Sequence, residues 1–273
     1  MELSILTPCL NNAQFLPDAL ASVTSRGGEV EHIVADGGST DSTVEILRSW
    51  QSPQHRWFSG PDQGQSDALN KAFNHATGDI IGWLNADEWY LPGTLDVVRR
   101  AFAVAPEVDV LYGEFFMVDR NGLFMRSVPS HPFSIRALKL YGCFVPSCAT
   151  FIRRRVLDGS PWDTDLRWIM DWDLWLRLST SGARFKHLRT PLAAFRIHPD
   201  QVTAGNRDER AHEWADVHDR YGIPRNARAG VRRHLGRSLH AAMKAIDGGY
   251  YRQLRDRRRL AGVTLARPSS AVN

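Results

Sequence analysis

The residues with the clearest chemical potential are Asn85-Ala86-Asp87-Glu88, which come directly after the apolar segment Ile80–Leu84. Asn, Asp and Glu side chains offer the hard oxygen ligands that suit Mg²⁺ or Mn²⁺. If the apolar segment is a strand that continues, residues 85 and 87 point to the same face, so one ion could bridge the protein and a diphosphate. The alternative is a polar turn before a helix that begins near Pro92.

Two similar polar clusters occur earlier in the chain. Thr7–Asn12 closes the apolar run that begins at Leu3, and Asp36–Asp41 follows the apolar segment His32–Ala35. A carboxylate at the end of a strand, such as that of Asp36, can accept hydrogen bonds from a base or a ribose. The alternative is an ordinary strand-to-helix turn, for which Asp, Gly, Ser and Thr are typical residues.

The second half of the chain offers one acid and one histidine. Asp171 stands where a helix pattern begins, and a helix N-terminus keeps a carboxylate ionised, so that it can act as a general base. The alternative is that Asp171 only caps the helix. His198 follows a short apolar segment and could be a metal ligand or a neutral hydrogen-bond donor, although a lone histidine is more often structural.

The elements that must position these residues alternate between strand and helix patterns in the first part of the chain. Helix patterns separate four apolar segments that predict strands: Leu3–Cys9, His32–Ala35, Arg56–Ser59 and Asp79–Leu84. Such alternation predicts an α/β fold with a mostly parallel central sheet flanked by helices. Ligands bind beyond the carboxyl ends of the strands in such sheets, so the three polar clusters should converge on one crevice.

From about residue 108 the pattern changes. The segments that predict strands there are Val108–Val118, Leu123–Val128, Cys148–Arg153, Arg184–Leu188 and Ala193–His198. Helices are predicted over Ile135–Tyr141, from near Asp171, and over Arg207–Tyr221. We therefore divide the chain at residue 107, with a second half over 108–203 and a basic helical extension over 204–273.

The composition is that of an ordinary globular protein: 273 residues, 43% hydrophobic and 23% charged, which excludes disordered, collagen-like and disulfide-framework classes. Three cysteines without a CxxC motif predict reduced thiols and a cytoplasmic protein. The N-terminus lacks the basic and apolar regions of a signal peptide. No apolar run reaches the roughly 18 residues that a spanning helix needs.

The basic charge is concentrated near the C-terminus. Residues 225–273 carry a net charge of +10, whereas residues 1–224 carry −6. Apolar residues recur there at helical spacing, with a break predicted at Gly248-Gly249. The extension is either a helix packed on the main domain or a basic helix at the inner face of the membrane. The only aromatic residues of the basic segment 225–273 are Tyr250 and Tyr251, too few for a stacking platform, so no nucleic acid partner is expected.

Several common catalytic motifs are missing from the sequence. GxxxxGK[ST], GxGxxG, HExxH and GxSxG do not occur, which argues against P-loop enzymes, Rossmann dehydrogenases, zincins and α/β-hydrolases. A sugar nucleotidyltransferase would need a Gly-rich basic loop near the N-terminus, and the segment Thr7–Phe15 contains no Gly, Lys or Arg.

The order and spacing of five segments resemble those of the family 2 glycosyltransferases of the bacterial polysaccharide-biosynthesis type. The resemblance covers about residues 3–203 and leaves the basic extension outside. The five segments are Ser4–Asn11, Ile33–Asp41, Gly64–Lys71, Gly78–Asp87 and Asp171–Arg177.

The resemblance implies a GT-A fold in which residues 1–107 bind a UDP-, dTDP- or GDP-linked sugar and residues 108–203 bind the acceptor. It implies Asp171 as the catalytic base, and Asp87 with His198 as ligands of a divalent cation, Mn²⁺ or Mg²⁺. The donor-binding residues that it implies are Thr7, Pro8, Asp36, Asp67, Asn85, Ala86 and Asp87. The resemblance further implies transfer with inversion of the anomeric configuration.

Three residues depart from the family's pattern. Asn85 stands for the first Asp of the Asp-x-Asp motif, Glu88 stands where Asp is usual, and Met170 replaces the Glu before the base. The QxxRW motif of processive members is absent, which predicts transfer of a single sugar to a glycan or lipid-linked acceptor. We place the acceptor near Trp162 and Trp168, whose rings could stack on sugars or pack in the core. A non-catalytic nucleotide-sugar sensor is the alternative that Asn85 and Met170 keep open.

Overall fold

The structure of the protein is a computed structural model. It describes residues 1–23, 30–50, 52–199, 201, 207–224 and 229–265.

The N-terminal half alternates strands with helices, as the sequence predicts. Its strands have hydrophobic residues on both faces, because helices cover both sides of the sheet. In chain order the elements are β1 (Leu3–Cys9), α1 (Leu16–Ser22), β2 (Val30–Asp36), α2 (Thr43–Ser49), β3 (His55–Ser59), α3 (Gln65–His75), β4 (Ile80–Trp83), β5 (Trp89–Tyr90) and α4 (Thr94–Ala103).

The rest of the chain adds strands to the same sheet and then continues in helices. In chain order the elements are β6 (Val110–Val118), β7 (Phe124–Val128), α5 (Ile135–Tyr141), a 3₁₀ turn (Ser147–Ala149), β8 (Thr150–Arg153), a second 3₁₀ turn (Arg154–Val156), α6 (Met170–Thr180), β9 (Phe185–Arg196), α7 (Arg207–Arg220), α8 (Ala229–Ile246) and α9 (Gly249–Leu260). The α8–α9 break lies at the predicted Gly248-Gly249 position.

One sheet runs through both halves in the order β3-β2-β1-β4-β8-β6-β9-β5, and β7 pairs with β6. The β3-β2-β1-β4 part is parallel, as expected. Beyond β4 the sheet is mixed, because β8 runs antiparallel to both of its neighbours and β6–β7 is a hairpin around the Asp119–Gly122 turn. A short turn can join only antiparallel strands, so the expectation of a mostly parallel sheet holds for the N-terminal half alone.

Two details of the second half differ from the sequence-based expectation. The two strands predicted over 184–198 are one strand, β9, whose parallel pairing with β6 shifts register at Glu114. The polar residues Arg189 and Thr190 interrupt the apolar pattern there without ending the strand. Cys148 lies in a 3₁₀ turn ahead of β8 rather than in the strand.

The C-terminal extension packs on the main domain. Helix α8 lies against α5, and α9 lies against β7. Leu239 and Met243 of α8 pack against the largest core cluster. The tail therefore takes the first of the two roles considered for it, although one face of α9 remains exposed.

Within the part of the chain that the structure describes, no helix combines the length and the apolar character needed to cross a bilayer.

Candidate active site

The loops that follow β1 and β2 are joined by hydrogen bonds at the carboxyl end of the sheet. The Asn11 backbone N–H donates to Ser39 Oγ at 2.7 Å, and the Thr40 N–H donates to Asn11 Oδ1 at 2.8 Å. The Ala13 N–H donates to Asp41 Oδ2 at 3.0 Å. Asn11 has a φ of 51°, a left-handed conformation that Asn tolerates better than most residues. The predicted convergence of these two polar clusters is confirmed.

Asp36 organises the ends of β2 and β3. Its Oδ2 accepts hydrogen bonds from the backbone N–H groups of Gly38 (3.2 Å) and Ser39 (3.0 Å) and from Ser59 Oγ (2.6 Å). The Ser39 hydroxyl also donates to Oδ1. The carboxylate is 2% exposed and holds its own loop in shape, so a contact with the base of a nucleotide stays a prediction.

Thr7 and Pro8 are both buried in β1. The Thr7 side chain is fully inaccessible, and its Oγ1 lies 2.8 Å from Nε2 of His32. Burial, with a smaller contribution from His55, lowers the pKa of His32 well below its ordinary value, so this ring is neutral. A nucleotide could therefore reach Thr7 only through the backbone, and donor binding by Thr7 and Pro8 stays a prediction.

Asn85 is fixed by two donors that the sequence did not reveal as its partners. Its Oδ1 accepts hydrogen bonds from Gln65 Nε2 at 2.6 Å and from Trp83 Nε1 at 2.8 Å. Two N–H donors identify this atom as the oxygen of the amide. Because both donors occupy Oδ1, this oxygen is already satisfied, and the predicted binding of a donor by Asn85 stays a prediction.

Asp87 and His198 are brought together from distant parts of the chain. His198 Nε2 lies 2.9 Å from Asp87 Oδ2, and Gln201 Nε2 lies 3.5 Å from the same oxygen. Arg196 Nε donates to the Asp87 carbonyl at 3.1 Å, and the His198 ring packs 4.6 Å from the ring of Phe15. Gln201 and Arg196 were not singled out from the sequence, although both flank His198 in the same segment.

A carboxylate and an imidazole are suitable ligands for Mn²⁺. The described residues contain no group of three or more His, Cys, Asp or Glu side chains that could hold a metal ion. Among those residues hydrogen bonds reach only Oδ2 of the Asp87 side chain, which leaves Oδ1 for a cation. These two side chains are of types that suit a divalent ion, and metal binding by Asp87 and His198 stays a prediction.

Glu88 lies behind this loop and is 1% exposed. Its Oε2 accepts the backbone N–H of Asn85 at 3.0 Å, and its Oε1 has no hydrogen-bond partner among the described residues. Burial, followed by the neighbouring Asp87 carboxylate, raises the pKa of Glu88 to about 8. Glu88 is therefore protonated at neutral pH and supports the loop as a neutral acid.

Asp67 and Ala86 complete the predicted donor-binding set. Asp67 lies in the first turn of α3, where its Oδ2 accepts from Lys71 Nζ (2.9 Å) and from the Gln63 N–H (3.0 Å). These two hydrogen bonds, Lys71 first, lower the pKa of Asp67. Ala86 is buried under the loop. Among the described residues, no hydrogen bond joins Asp67 or Ala86 to the Asp87–His198 pair. Donor binding by Asp67 and by Ala86 stays a prediction.

Asp171 lies in the first turn of α6 but does not cap it. The N-cap position is Ile169, whose side chain makes no capping hydrogen bond. Asp171 Oδ1 accepts the Trp172 N–H at 2.7 Å, and the Cys143 thiol donates to Oδ2 at 3.4 Å. Burial raises the pKa of Asp171 above its ordinary value, against the lowering effect of these hydrogen bonds. The residue is thus a stronger base than an exposed aspartate.

Asp171 forms part of the wall of a cavity of about 340 Å³. The side chains around it come from β6, β7, the segment 141–148, β9 and, unexpectedly, α8 of the basic extension. Those that the argument below uses are Phe115, Arg126, Phe195, His240 and Lys244.

Cys148 is a buried residue of the same cavity wall. Its pKa is raised well above the ordinary value, first by burial and then by the carboxylates of Glu88 and Asp87.

Trp162 is a core residue and not a binding platform. It is 1% exposed, and its ring makes edge contacts with Phe73 and Trp83 at centroid distances of 6.2 and 6.0 Å. Asn70 fixes its backbone from both sides, at 2.7 and 3.0 Å. The predicted stacking of Trp162 on an acceptor sugar is wrong, because aromatic spacing alone does not distinguish a core ring from an exposed one.

Trp168 is only partly buried. Its backbone N–H donates to Glu213 Oε2 at 2.9 Å, and the Arg167 guanidinium lies 5.7 Å from the ring centroid. Acceptor binding by Trp168 stays a prediction.

Comparisons with known proteins agree with this arrangement. An uncharacterized glycosyltransferase of Mycobacterium tuberculosis is 33% identical over 151 residues, an alignment that covers 54% of this chain and 57% of the relative. The chain thus aligns with little more than half of that relative's length.

Two solved structures share the fold. TarS 1–349 of S. aureus in complex with UDP has a TM-score of 0.64 at 15% identity, over 95% of this chain and 78% of the other. The mannosyltransferase PcManGT of Pyrobaculum calidifontis, in complex with GDP-Man and Mn²⁺, has a TM-score of 0.61 at 18% identity, over 99% and 77%. At these identities the likeness shows the fold alone.

The sequence model described as Glycosyl transferase family 2 matches residues 4–159, more than half of the chain, and so covers β1 to β8 with the Asp36 and Asp87 loops. The chain belongs to glycosyl transferase family 2.

Proposed function

We propose that this protein is an inverting, non-processive glycosyltransferase that moves one sugar from a nucleotide-sugar donor to a hydroxyl group of a glycan or lipid-linked acceptor. The observation that carries the proposal is the position of Asp171. It lines a cavity, and burial raises its pKa.

The donor is proposed to lie at the carboxyl ends of β1, β2 and β4, within the half formed by residues 1–107. Asp87 and His198 would hold a divalent cation, and that cation would neutralise charge on the departing nucleoside diphosphate. Two structures of the same fold contain UDP, or GDP-Man with Mn²⁺. Their different bases leave UDP, dTDP and GDP donors equally compatible with the fold.

Asp171 is proposed to take the proton from the acceptor hydroxyl as that oxygen attacks the anomeric carbon. Attack from the face opposite the diphosphate inverts the anomeric configuration. A raised pKa makes the carboxylate a better proton acceptor, and a positioned general base contributes about 10²–10⁴-fold in rate. The Trp172 N–H and the Cys143 thiol hold the two carboxylate oxygens in place.

The acceptor half, residues 108–203, is proposed to be completed by the extension over 204–273. The outer face of α9 combines exposed Tyr251 and Leu254 with Arg257, Arg258 and Arg259. Apolar side chains flanked by arginines are typical of helices that lie on an anionic membrane surface. We propose that this face brings the protein to the cytoplasmic side of a membrane that carries its acceptor.

The test is a panel of UDP-, dTDP- and GDP-sugars with and without Mn²⁺ or Mg²⁺. It is read by thermal shift and by slow hydrolysis of the donor. Stabilisation by one donor class that depends on metal and is lost in Asp87→Ala supports the transferase. Donor binding without any turnover would favour a non-catalytic sensor, and an absence of stabilisation by every donor would reject the donor site.

A further inference from the structure

The wall of the cavity beside Asp171 contains two cationic side chains to which no role in substrate binding has yet been assigned. Arg126 comes from β7, and Lys244 comes from α8 of the C-terminal extension. Both lie in the wall that also contains the candidate base. The extension therefore supplies part of the surface that an acceptor would meet.

Neither cation is neutralised by a carboxylate. Among the described residues no carboxylate oxygen lies within 4.0 Å of either side chain. Arg126 Nε donates to the thioether sulfur of Met117 at 2.8 Å. Lys244 Nζ lies 3.4 Å from Gln253 Oε1 and 5.1 Å from the centre of the Tyr250 ring. All of these partners are uncharged.

The nearest acid behind Lys244 is already paired. Glu114 is fully buried and bonded to Arg252, whose Nε lies 2.7 Å from Glu114 Oε1. Burial has the largest effect on the pKa of Lys244 and lowers it, Glu114 raises it, and Arg126 and Arg252 lower it. Because the positive charge of Arg126 lowers the pKa of Lys244, the two cations of the cavity repel each other.

The other titratable groups of the cavity wall do not supply a negative charge that would neutralise Arg126 and Lys244. Burial, followed by His131 and Lys244, lowers the pKa of His240 to about 4, so this ring is neutral. Asp171 is the one carboxylate among the residues that line the cavity, and its proposed task is to accept a proton from the acceptor. The wall thus presents two positive charges near one proton acceptor.

The same wall also contains apolar side chains. Phe115 and Phe195 pack with their ring centroids 5.7 Å apart. Apolar walls strengthen the attraction of a cation for an anion, because water is partly excluded. An anion of about the size of a phosphate group fits easily in a cavity of about 340 Å³.

We infer that Arg126 and Lys244 form a subsite for a phosphate group carried by the acceptor, next to the hydroxyl that Asp171 activates. The inference deepens the proposed function and rests on it, since it takes the cavity as the acceptor site. Guanidinium and ammonium groups together are a common pair for phosphate recognition. The phosphate could belong to a water-soluble phosphorylated acceptor or to a lipid phosphate.

The first test measures binding of phenyl phosphate to the full-length protein by titration calorimetry, in EDTA to suppress metal-dependent phosphate binding at the donor site. Phenyl β-glucoside serves as the neutral probe. The wild-type protein is expected to bind phenyl phosphate at least tenfold more tightly than the neutral probe. The double variant Arg126→Gln/Lys244→Met is expected to lose at least tenfold in affinity, and Arg126→Lys/Lys244→Arg to retain most of it.

The matched control is Arg100→Gln, which removes an exposed arginine of α4 outside the cavity wall. It is expected to bind phenyl phosphate as the wild type does. Equal affinity in Arg126→Gln/Lys244→Met and wild type, with melting temperatures unchanged, would overturn the subsite. Failure of the wild type to bind phenyl phosphate would overturn it as well.

A second arm distinguishes the two sources of phosphate. Dodecyl phosphate in phosphatidylcholine vesicles is compared with glycerol 3-phosphate in solution. Tighter binding of the vesicle form that depends on Arg126 and Lys244 assigns the subsite to a lipid phosphate, whereas tighter binding of the soluble form assigns it to a soluble acceptor.

Donor hydrolysis separates this inference from the proposed function. Hydrolysis needs no acceptor, so it should persist in Arg126→Gln/Lys244→Met if the protein is a transferase. A protein that hydrolyses its donor but shows no Arg126- and Lys244-dependent phosphate binding keeps the proposed function and loses the subsite. If the protein binds phenyl phosphate but no nucleotide sugar, the anion site is supported and its role in binding an acceptor is rejected.

Discussion

The Nε2 atom of His198 lies 2.9 Å from the Oδ2 atom of Asp87, although the two residues are 111 positions apart in the chain. β4 leads to Asp87, and β9 leads to His198. The contact therefore joins the N-terminal half of the molecule to the segment that follows the last strand in the chain. A ligand bound by Asp87 and His198 would contact both halves of the molecule.

The first prediction concerns metal binding by this pair. Asp87→Asn should abolish the Mn²⁺-dependent rise in melting temperature, because it removes the charged ligand. His198→Gln should weaken it less, because the carboxylate remains. The measurement is a melting curve at increasing Mn²⁺, with and without a nucleoside diphosphate. Asp96→Asn, which changes a carboxylate of α4 that pairs with Arg99 instead, serves as the matched control.

The outcome that contradicts this assignment is an unchanged Mn²⁺ response in Asp87→Asn. In that case another ligand set, formed elsewhere in the chain, holds the ion. Asn85 is not expected to replace Asp87, since Gln65 and Trp83 already donate to its oxygen.

The second prediction separates proton transfer from donor cleavage. Asp171→Asn should lower transfer to an acceptor by about 10²–10⁴-fold, the usual contribution of a general base, while slow donor hydrolysis persists. Burial raises the pKa of Asp171, so the wild-type rate of transfer should fall with decreasing pH at values above those of an exposed aspartate. A transfer rate that is unaffected by Asp171→Asn would remove the residue from catalysis.

Much of the fold could be predicted because the first half repeats one local pattern. Apolar runs such as Leu3–Cys9 predict buried strands, and their polar ends mark the crevice. The second half was less predictable, since β9 contains the polar residues Arg189 and Thr190 and yet continues as one strand. Its continuity depends on pairing with β6, which is a tertiary contact.

The third prediction concerns the pH dependence of stability. The pKa of Glu88 in the folded protein is raised to about 8, well above its unfolded value, so the folded state binds the additional proton between these two pH values. Stability should therefore fall as pH rises through this window, by at most about 1.4 kcal/mol per pH unit for one proton. Glu88→Gln should remove this slope, because Gln imitates the neutral acid.

Denaturant unfolding at several pH values in EDTA measures this slope. Asp79→Asn, which changes a carboxylate outside the Asp87 loop, is the control and should keep the wild-type slope. The same slope in Glu88→Gln and wild type would show that Glu88 is ionised in the folded protein.

The candidate site was only partly readable from sequence. Asp87 and Asp171 could be found from their positions after a strand and at a helix start. The hydrogen-bond partners of Asn85 could not be found from the sequence, because Gln65 reaches Asn85 from α3, across the edge of the sheet. Burial also cannot be read from residue type, as the buried Trp162 shows.

The last prediction concerns the C-terminal extension. Arg252 is 7% exposed and bonds to Glu114 (2.6 Å) and Asp247 (2.7 Å). Removing one partner of a buried ion pair leaves charge uncompensated and costs about 3–5 kcal/mol. Arg252→Met should therefore lower the melting temperature by roughly 10 °C, whereas the exposed Arg258→Met should leave it within about 2 °C.

This stability difference decides how membrane binding must be tested. Removing α8 and α9 would expose the core residues against which Leu239 packs and would leave Glu114 unpaired, so a truncated chain would bind vesicles through its opened core. Charge reversal of Arg257, Arg258 and Arg259 in the full chain avoids this problem, because these side chains are exposed. Loss of binding to anionic but not to neutral vesicles in that variant, at an unchanged melting temperature, is the expected result. Binding that is equal in both proteins would leave α9 as a packing element alone.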